Sequence, residues 1–130
     1  MISPPHVVTH RTIHHRVATL VGLARPEVTR EDVLRAMLPS GSVTGAPKIR
    51  AMEVIRSLEP TRRGLYTGAL GYQAHDGSML LSMAIRTAVF RADGVSGEYC
   101  VGGGIVVASS PERELAETQW KAAQLRALLG

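Results

Sequence analysis

The sequence is poor in cysteine, in aromatic residues and in long apolar runs. Cys100 is the single cysteine of the 130 residues, which excludes an internal disulfide framework and favours a reducing compartment. No apolar stretch reaches the roughly 20 residues of a membrane-spanning helix. The first residues also lack the charged and apolar regions of a signal peptide. We therefore expect a cytoplasmic protein with no membrane partner.

The charge is only mildly positive, with 15 Lys and Arg residues against 11 Asp and Glu residues. The arginines are scattered, and aromatic residues make up 4% of the chain, so no basic stretch with interleaved aromatics is present. A nucleic-acid partner is therefore not expected. The apolar fraction of 45% and the length are typical of one globular domain with a buried core.

The first half of the chain carries helical patterns after an extended segment over residues 1–9. A first helix is predicted from the helical spacing of Ile13, Val17, Leu20 and Val21. A second begins after the capping residue Thr29, with Asp32 closing a short capping box. A third begins near Pro47, which suits a first helical turn, and ends at Glu59.

The second half carries strand patterns separated by turns. Strands are predicted over residues 68–74, 79–90, 95–101 and 105–108, with turns at residues 75–77 and 92–94. A last helix opens at Ser109 and runs to Leu129. This order predicts an α+β fold with an antiparallel sheet packed with helices. One face of the small sheet has no element to cover it, which indicates that the fold is part of a larger one.

The loop before the third helix is not a nucleotide-binding P-loop. Between Gly41 and Lys48 only three residues separate the two glycines, and the lysine does not follow the second glycine directly. Pro47 also removes an amide that would contact phosphate. Two interpretations of this loop stay open. The helix N-terminus could bind a small carboxylate, or Ser42 and Thr44 could simply cap the helix.

Five blocks in compatible order carry a resemblance to a known family. They are Gly41–Glu53 (GSVTGAPKIRAME), Gly68–Tyr72 (GALGY), Ala84–Thr87 (AIRT), Val101–Val106 (VGGGIV) and Pro111–Lys121 (PERELAETQWK). Together they resemble component I of the anthranilate and aminodeoxychorismate synthases, over about residues 14–129. The resemblance implies that residues 1–130 are the C-terminal segment of a chorismate-binding catalytic domain whose N-terminal half is absent.

The resemblance also implies a reaction and partners. The family aminates chorismate with ammonia in the presence of magnesium, and a separate glutamine amidotransferase usually supplies the ammonia. Residues 45–48 (GAPK) resemble this aminating branch more than the isochorismate and salicylate synthases. Residues 41–45 and the triple glycine resemble aminodeoxychorismate synthase, of the para-aminobenzoate and folate pathway, slightly more than anthranilate synthase. Anthranilate synthase of the tryptophan pathway stays an alternative, as does a non-catalytic fragment that binds a partner. We expect the chain alone to be inactive and to associate with its missing half or with itself.

Two acids on the last helix are the candidate metal ligands. Glu114 and Glu117 are three residues apart, so they project from one helix face. Magnesium binds a few carboxylates together with waters and substrate oxygens, and the resemblance implies that these acids hold it. The alternative is a solvated face in which Glu117 pairs with Lys121 one turn later.

The candidate substrate pocket combines an arginine, a tyrosine and three glycines. Arg86 lies in an apolar stretch, and a bidentate carboxylate would satisfy a buried guanidinium. Tyr72, on the preceding strand, could donate its hydroxyl to the same group. The amides of Gly102, Gly103 and Gly104 could form an anion nest, which the family uses for a chorismate carboxylate. Plain alternatives are an internal ion pair, a half-buried tyrosine and a glycine turn. Ser42 and Lys121 are also expected to contact substrate.

A histidine is the candidate catalytic residue. His15 falls at the position of the family's histidine on the first helix, and would transfer a proton or polarise the substrate. The plain alternative is a surface histidine. His10 and His14, four residues apart, would suit a zinc ion only with a third ligand, and the sequence suggests none.

Three positions depart from the family pattern. Ala18 stands where the family usually has serine, Leu80 where it usually has an acid, and Ala108 where it usually has aspartate. The last two changes remove polar groups near the expected site.

Overall fold

The computed structural model describes residues 3–11 and 13–129, with the backbone alone at Gln124 and Leu129. Within these residues the elements are, in order, β1 (His6–Thr9), β2 (His14–Val17), α1 (Arg30–Met37), α2 (Gly41–Thr44), α3 (Lys48–Leu58), β3 (Ala69–Gln73), β4 (Met79–Met83), β5 (Ala88–Phe90), β6 (Gly97–Tyr99) and α4 (Pro111–Leu129). Helices and antiparallel strands together confirm the predicted α+β class. The strands form two-stranded sheets, β1-β2, β3-β4 and β5-β6, and not the single sheet that was predicted. The chain divides into two compact units, Met1–Leu34 and Arg35–Gly130.

In the first unit, the helix predicted across residues 13–21 does not form. β2 runs antiparallel to β1 instead, with His6 opposite Val17 and Thr9 opposite His14. The short apolar spacing also fits a strand, and pairing with β1 satisfies the backbone groups of both segments. The prediction of an extended segment before residue 10 is confirmed for its described part.

The capping box at α1 is confirmed. The backbone N–H of Thr29 donates to Asp32 Oδ2 at 2.9 Å, and the Asp32 N–H donates to Thr29 Oγ1 at 3.2 Å. The Thr29 hydroxyl also donates to Asp32 Oδ2 at 2.6 Å. These bonds hold the pKa of Asp32 below its ordinary value, the hydroxyl of Thr29 being the largest cause.

In the second unit, the loop before α3 contains the one-turn helix α2. Its cap is Ser40, whose side chain accepts from the N–H of Ser42 at 3.4 Å. Ser42 Oγ is hydrogen-bonded to Ser40 Oγ at 2.8 Å. The Thr44 hydroxyl donates to Ser40 O at 2.9 Å. These side chains therefore stabilise α2, and the prediction that they cap α3 is wrong. Pro47 occupies the cap position of α3, one residue before the predicted place, and the predicted end at Glu59 is confirmed.

The long strand predicted over residues 79–90 is broken into β4 and β5. β3 and β4 form a hairpin that backbone bonds extend to Thr67 and Ala84. Arg86 then has φ 54°, a left-handed conformation that side chains rarely adopt, and β5 pairs with β6 beyond it. Arg86 is therefore in a bend, not within a strand.

Both predicted turns, at residues 75–77 and 92–94, are confirmed. The strand predicted over residues 105–108 is wrong, because these residues form a turn in which Ser109 N donates to Val106 O at 2.9 Å. The last helix is confirmed as α4. Among the described residues, Ala84 is the one buried apolar side chain, at 2% exposure. No helix in the described ranges has both the length and the apolar character of a membrane span.

Candidate functional site

The glycine loop, Gly102–Gly104, lies against α4. Lys121 Nζ donates to the carbonyl oxygen of Gly102 at 2.8 Å. A β-carbon added to Gly103 would lie 2.6 Å from Glu114 Oε2, and one added to Gly102 would lie 2.7 Å from the Tyr66 hydroxyl oxygen. Real β-carbons essentially never approach other atoms that closely. A side chain at either position would therefore displace the end of the Glu114 or Tyr66 side chain, whereas glycine lets both groups approach the backbone.

The glycine loop does not have the alternating conformation of an anion nest. Among the described residues, positive φ is found at four other glycines, Gly45, Gly64, Gly77 and Gly94. In the same described part of the chain, the backbone amides of Gly103 and Gly104 donate no hydrogen bond. A single carboxylate could accept from such amides without the nest geometry.

The two acids of α4 have different partners. Ser109 Oγ donates to Glu114 Oε1 at 2.8 Å and accepts from the Val106 N–H at 3.1 Å. Glu117 Oε1 pairs with Lys121 Nζ at 2.5 Å, as the alternative interpretation predicted. Each carboxylate keeps its second oxygen, so the pairing with Lys121 does not exclude a further ligand.

The described residues contain no group of three or more histidine, cysteine or acidic side chains that could hold a metal ion. The chain therefore offers a pair of carboxylates and not a complete metal cage. Magnesium is often held by one or two carboxylates, with waters and substrate oxygens as its remaining ligands. The pair Glu114 and Glu117 suits that role in part.

Tyr66 lies against the glycine loop and Arg63 lies by its ring, and no sequence pattern indicated either residue. The guanidinium carbon of Arg63 lies 5.7 Å from the centre of the Tyr66 ring. Burial raises the pKa of Tyr66, while the charges of Arg63 and Lys121 oppose the rise. Tyr66 is six residues before Tyr72 and lies just outside the block Gly68–Tyr72, so the resemblance pointed to Tyr72 alone. Tyr72 is on β3 opposite Leu80 and is 63% exposed.

Arg86 lies beside the second half of α4. It lines a hollow together with Ala88, Tyr99, Leu125 and Leu128. Because Lys121, Leu125 and Leu128 recur at helical spacing, they share one face of α4. The glycine loop and Arg86 therefore contact successive turns of the same helix face. The predicted convergence of Arg86 with Tyr72 on one anion stays a prediction.

The histidines belong to the first unit. His15 is on β2 and is exposed, and its ring meets that of His10 edge to face with centres 5.8 Å apart. His14 Nδ1 lies 3.0 Å from Thr9 Oγ1. His10 thus contacts His15 and not His14, and no third metal ligand is grouped with them among the described residues. The zinc interpretation has no support.

A family model described as chorismate binding enzyme matches residues 2–127, so the chain belongs to that family. It is 44% identical over 99% of its length to anthranilate synthase component 1 of Thermus thermophilus, and 48% identical over 84% to that of Pseudomonas aeruginosa. It is 41% identical over 85% to the chloroplastic aminodeoxychorismate synthase of Arabidopsis thaliana. The chain spans 27%, 22% and 12% of these relatives, respectively.

Proposed function

We propose that the chain is the part of a chorismate-aminating synthase that holds a chorismate carboxylate and contributes to a magnesium site. The observation that carries the proposal is the meeting of the glycine loop with Glu114 and Lys121 of α4. Lys121 uses two of its N–H groups on Gly102 and Glu117, and the third can bind a carboxylate oxygen. The amides of Gly103 and Gly104 can donate to the same anion.

The acids of α4 supply the magnesium side of the proposed site. Glu114 Oε2 faces Gly103, and Ser109 fixes the orientation of Glu114 through its other oxygen. Magnesium, when bound, would neutralise charge on the substrate carboxylate, and its remaining ligands would be waters and substrate oxygens.

The proposal includes three further predicted residues. Within the second unit, we propose that Arg86 and Ser42 bind polar groups of chorismate. We propose separately, from the family resemblance alone, that His15 of the first unit transfers a proton. Tyr66 is a stronger candidate than Tyr72 for the phenol of the pocket, because its hydroxyl is the one beside the glycine loop.

We further propose ammonia as the co-substrate, a glutamine amidotransferase as the partner and aminodeoxychorismate as the product. The triple glycine and residues 41–45 support that product. The bacterial relatives named above support anthranilate as a second candidate. Both products require the same carboxylate and magnesium contacts, so the proposal for the site is common to them.

The test is a graft of this chain onto a longer relative. These residues replace the matching 129-residue segment of the Thermus component 1, and products from chorismate, ammonia and magnesium are separated by chromatography. Anthranilate and aminodeoxychorismate are thereby distinguished. We expect turnover, and we expect Glu114→Gln to raise the magnesium concentration for half-maximal rate by roughly 10–100-fold and to lower the rate.

Glu112→Gln is the matched control, because Glu112 is in the same helical turn but bonds Ser110 at 2.6 Å. It should leave the magnesium titration unchanged. An active graft whose Glu114→Gln form keeps the magnesium titration and rate of the unsubstituted graft would contradict the magnesium assignment. A folded graft that does not convert chorismate would contradict the proposed function.

A further inference from the structure

Arg63, which is not among the predicted site residues, connects the α2 turn to the tyrosine that lies against the glycine loop. Arg63 follows α3, and its side chain is 22% exposed. Its Nε and Nη2 bond Glu59 Oε2 and Oε1 at 2.8 and 2.6 Å, a two-pronged pair. Its Nη1 donates to Val43 O at 3.1 Å and to Thr67 Oγ1 at 3.3 Å. This planar fork suits arginine, and lysine cannot reproduce it.

The partners of Arg63 lead to both loops. Val43 is in α2, directly after Ser42, which is a predicted substrate contact. On the other side, Arg63 lies by the ring of Tyr66, whose hydroxyl is beside Gly102. The electron-rich face of an aromatic ring attracts a nearby guanidinium electrostatically. One side chain therefore contacts both the α2 turn and the tyrosine that touches the glycine loop.

The ion pair with Glu59 serves to orient the guanidinium. Its hydrogen bonds raise the pKa of Arg63 and lower that of Glu59. Because the pair is partly exposed, its own contribution to stability is small. A residue that only stabilised the end of α3 would also need no bond to Val43, which is 20 residues away in sequence.

We infer that Arg63 is a positioning residue, which holds the α2 turn and Tyr66 in register so that Ser42 and the glycine loop face one substrate. The inference rests on the proposed function for its substrate, and on the contacts of Arg63 alone for its geometry. Arg63 acts through Val43 and Tyr66 and need not touch chorismate.

The first measurement needs no activity. Hydrogen–deuterium exchange of the 130-residue chain is compared for Arg63→Lys and Arg62→Lys. Arg62 is the matched control, because it is adjacent and exposed and makes no hydrogen bond or ion pair in the described part of the chain. Arg63→Lys should increase exchange in peptides that cover residues 40–46, in which the amides of Val43, Thr44 and Gly45 bond within the α2 turn, and Arg62→Lys should not. Unchanged exchange in these peptides overturns the inference, whether or not the graft is active.

The second measurement uses the graft defined above. Misplacing substrate contacts weakens binding of substrate and transition state alike, which raises KM with kcat retained. We expect Arg63→Lys to raise KM for chorismate about tenfold and to keep kcat within about threefold, with Arg62→Lys unchanged. Increased exchange with an unchanged KM would overturn the role at the substrate site. A graft that is inactive without any substitution would refute the proposed function, and the exchange comparison would still decide whether Arg63 joins the loops.

Discussion

At the scale of single residues, Gly103 is the position of the glycine loop that lies against Glu114. Alanine there places a methyl group 2.6 Å from Glu114 Oε2, so the carboxylate must move or the loop must shift. Because Glu114 Oε2 is the end of a flexible side chain, we expect the carboxylate to move rather than the loop. In the active graft, we expect Gly103→Ala to raise the magnesium concentration for half-maximal rate about tenfold. Gly22→Ala is the control, because nothing lies within 4 Å of its added methyl group.

A second substitution tests whether the clash is with Glu114 itself. Glu114→Asp withdraws the carboxylate by one methylene and makes room for the methyl group. The two substitutions together should therefore cost less than the sum of their separate effects, as measured by a double-mutant cycle. Simple additivity would show that Gly103 and Glu114 do not meet.

The same scale shows which site residues the sequence can predict. The two glutamates, Lys121 and the glycine loop lie in one cluster, and the resemblance of their sequence blocks to the family is what singled them out. Tyr66 and Arg63 were missed because their roles come from contacts with residues 20 or more positions away, Val43 and Gly102. No local pattern encodes such a contact.

At the scale of elements, local capping is predictable and strand pairing is not. The box between Thr29 and Asp32 was predicted from residues three apart and is confirmed. The helix predicted near residue 13 is a strand because β1 pairs with it. The strand predicted over residues 79–90 breaks because Arg86 takes a left-handed conformation. The mostly apolar sequence around Arg86 is that of a continuous strand and gives no sign of the break.

The capping box also yields a prediction about α1. Thr29→Ala removes the hydroxyl that accepts from the Asp32 amide and donates to its carboxylate. Loss of a threonine cap should make the first turn of α1 open roughly fivefold more often. Amide exchange of residues 30–33 measures this opening. Thr61→Ala, in the link after α3, is the control and should leave that exchange unchanged. An equal effect of both substitutions would show that the box does not hold this helix end.

The cap should also depend on pH. The pKa of Asp32 is lowered in the folded chain. The ionised Asp32 carboxylate therefore contributes its full stabilisation of the start of α1 above its ordinary pKa. The contribution is lost as the pH falls through the lowered value. Protection of the first turn of α1, taken as the exchange rate relative to the intrinsic rate at each pH, should therefore fall at acid pH, and it should fall less in Thr29→Ala, in which the largest cause of the shift is gone.

At the scale of the whole molecule, little apolar surface is buried. Leu70, Tyr72 and Leu80 share one face of the β3-β4 hairpin and are 43%, 63% and 61% exposed. Two-stranded sheets also leave open strand edges, which invite pairing with another chain. The chain spans about a quarter or less of the relatives named above, and its proposed metal ligands form a pair without a third member in the described residues.

We therefore predict that the purified 130-residue chain associates with itself and does not consume chorismate when given ammonia and magnesium. Exposed apolar faces favour association, and a site without most of its metal ligands loses most of its electrostatic stabilisation. Sedimentation velocity at several concentrations should show association, and Leu80→Lys should weaken it by placing a charge on the hairpin face. Leu23→Lys, at an apolar residue that is 99% exposed in the first unit, is the control and should have a smaller effect. Steady turnover by a monodisperse monomer would contradict both parts of the prediction, because these residues would then supply a sufficient site and a sufficient core by themselves.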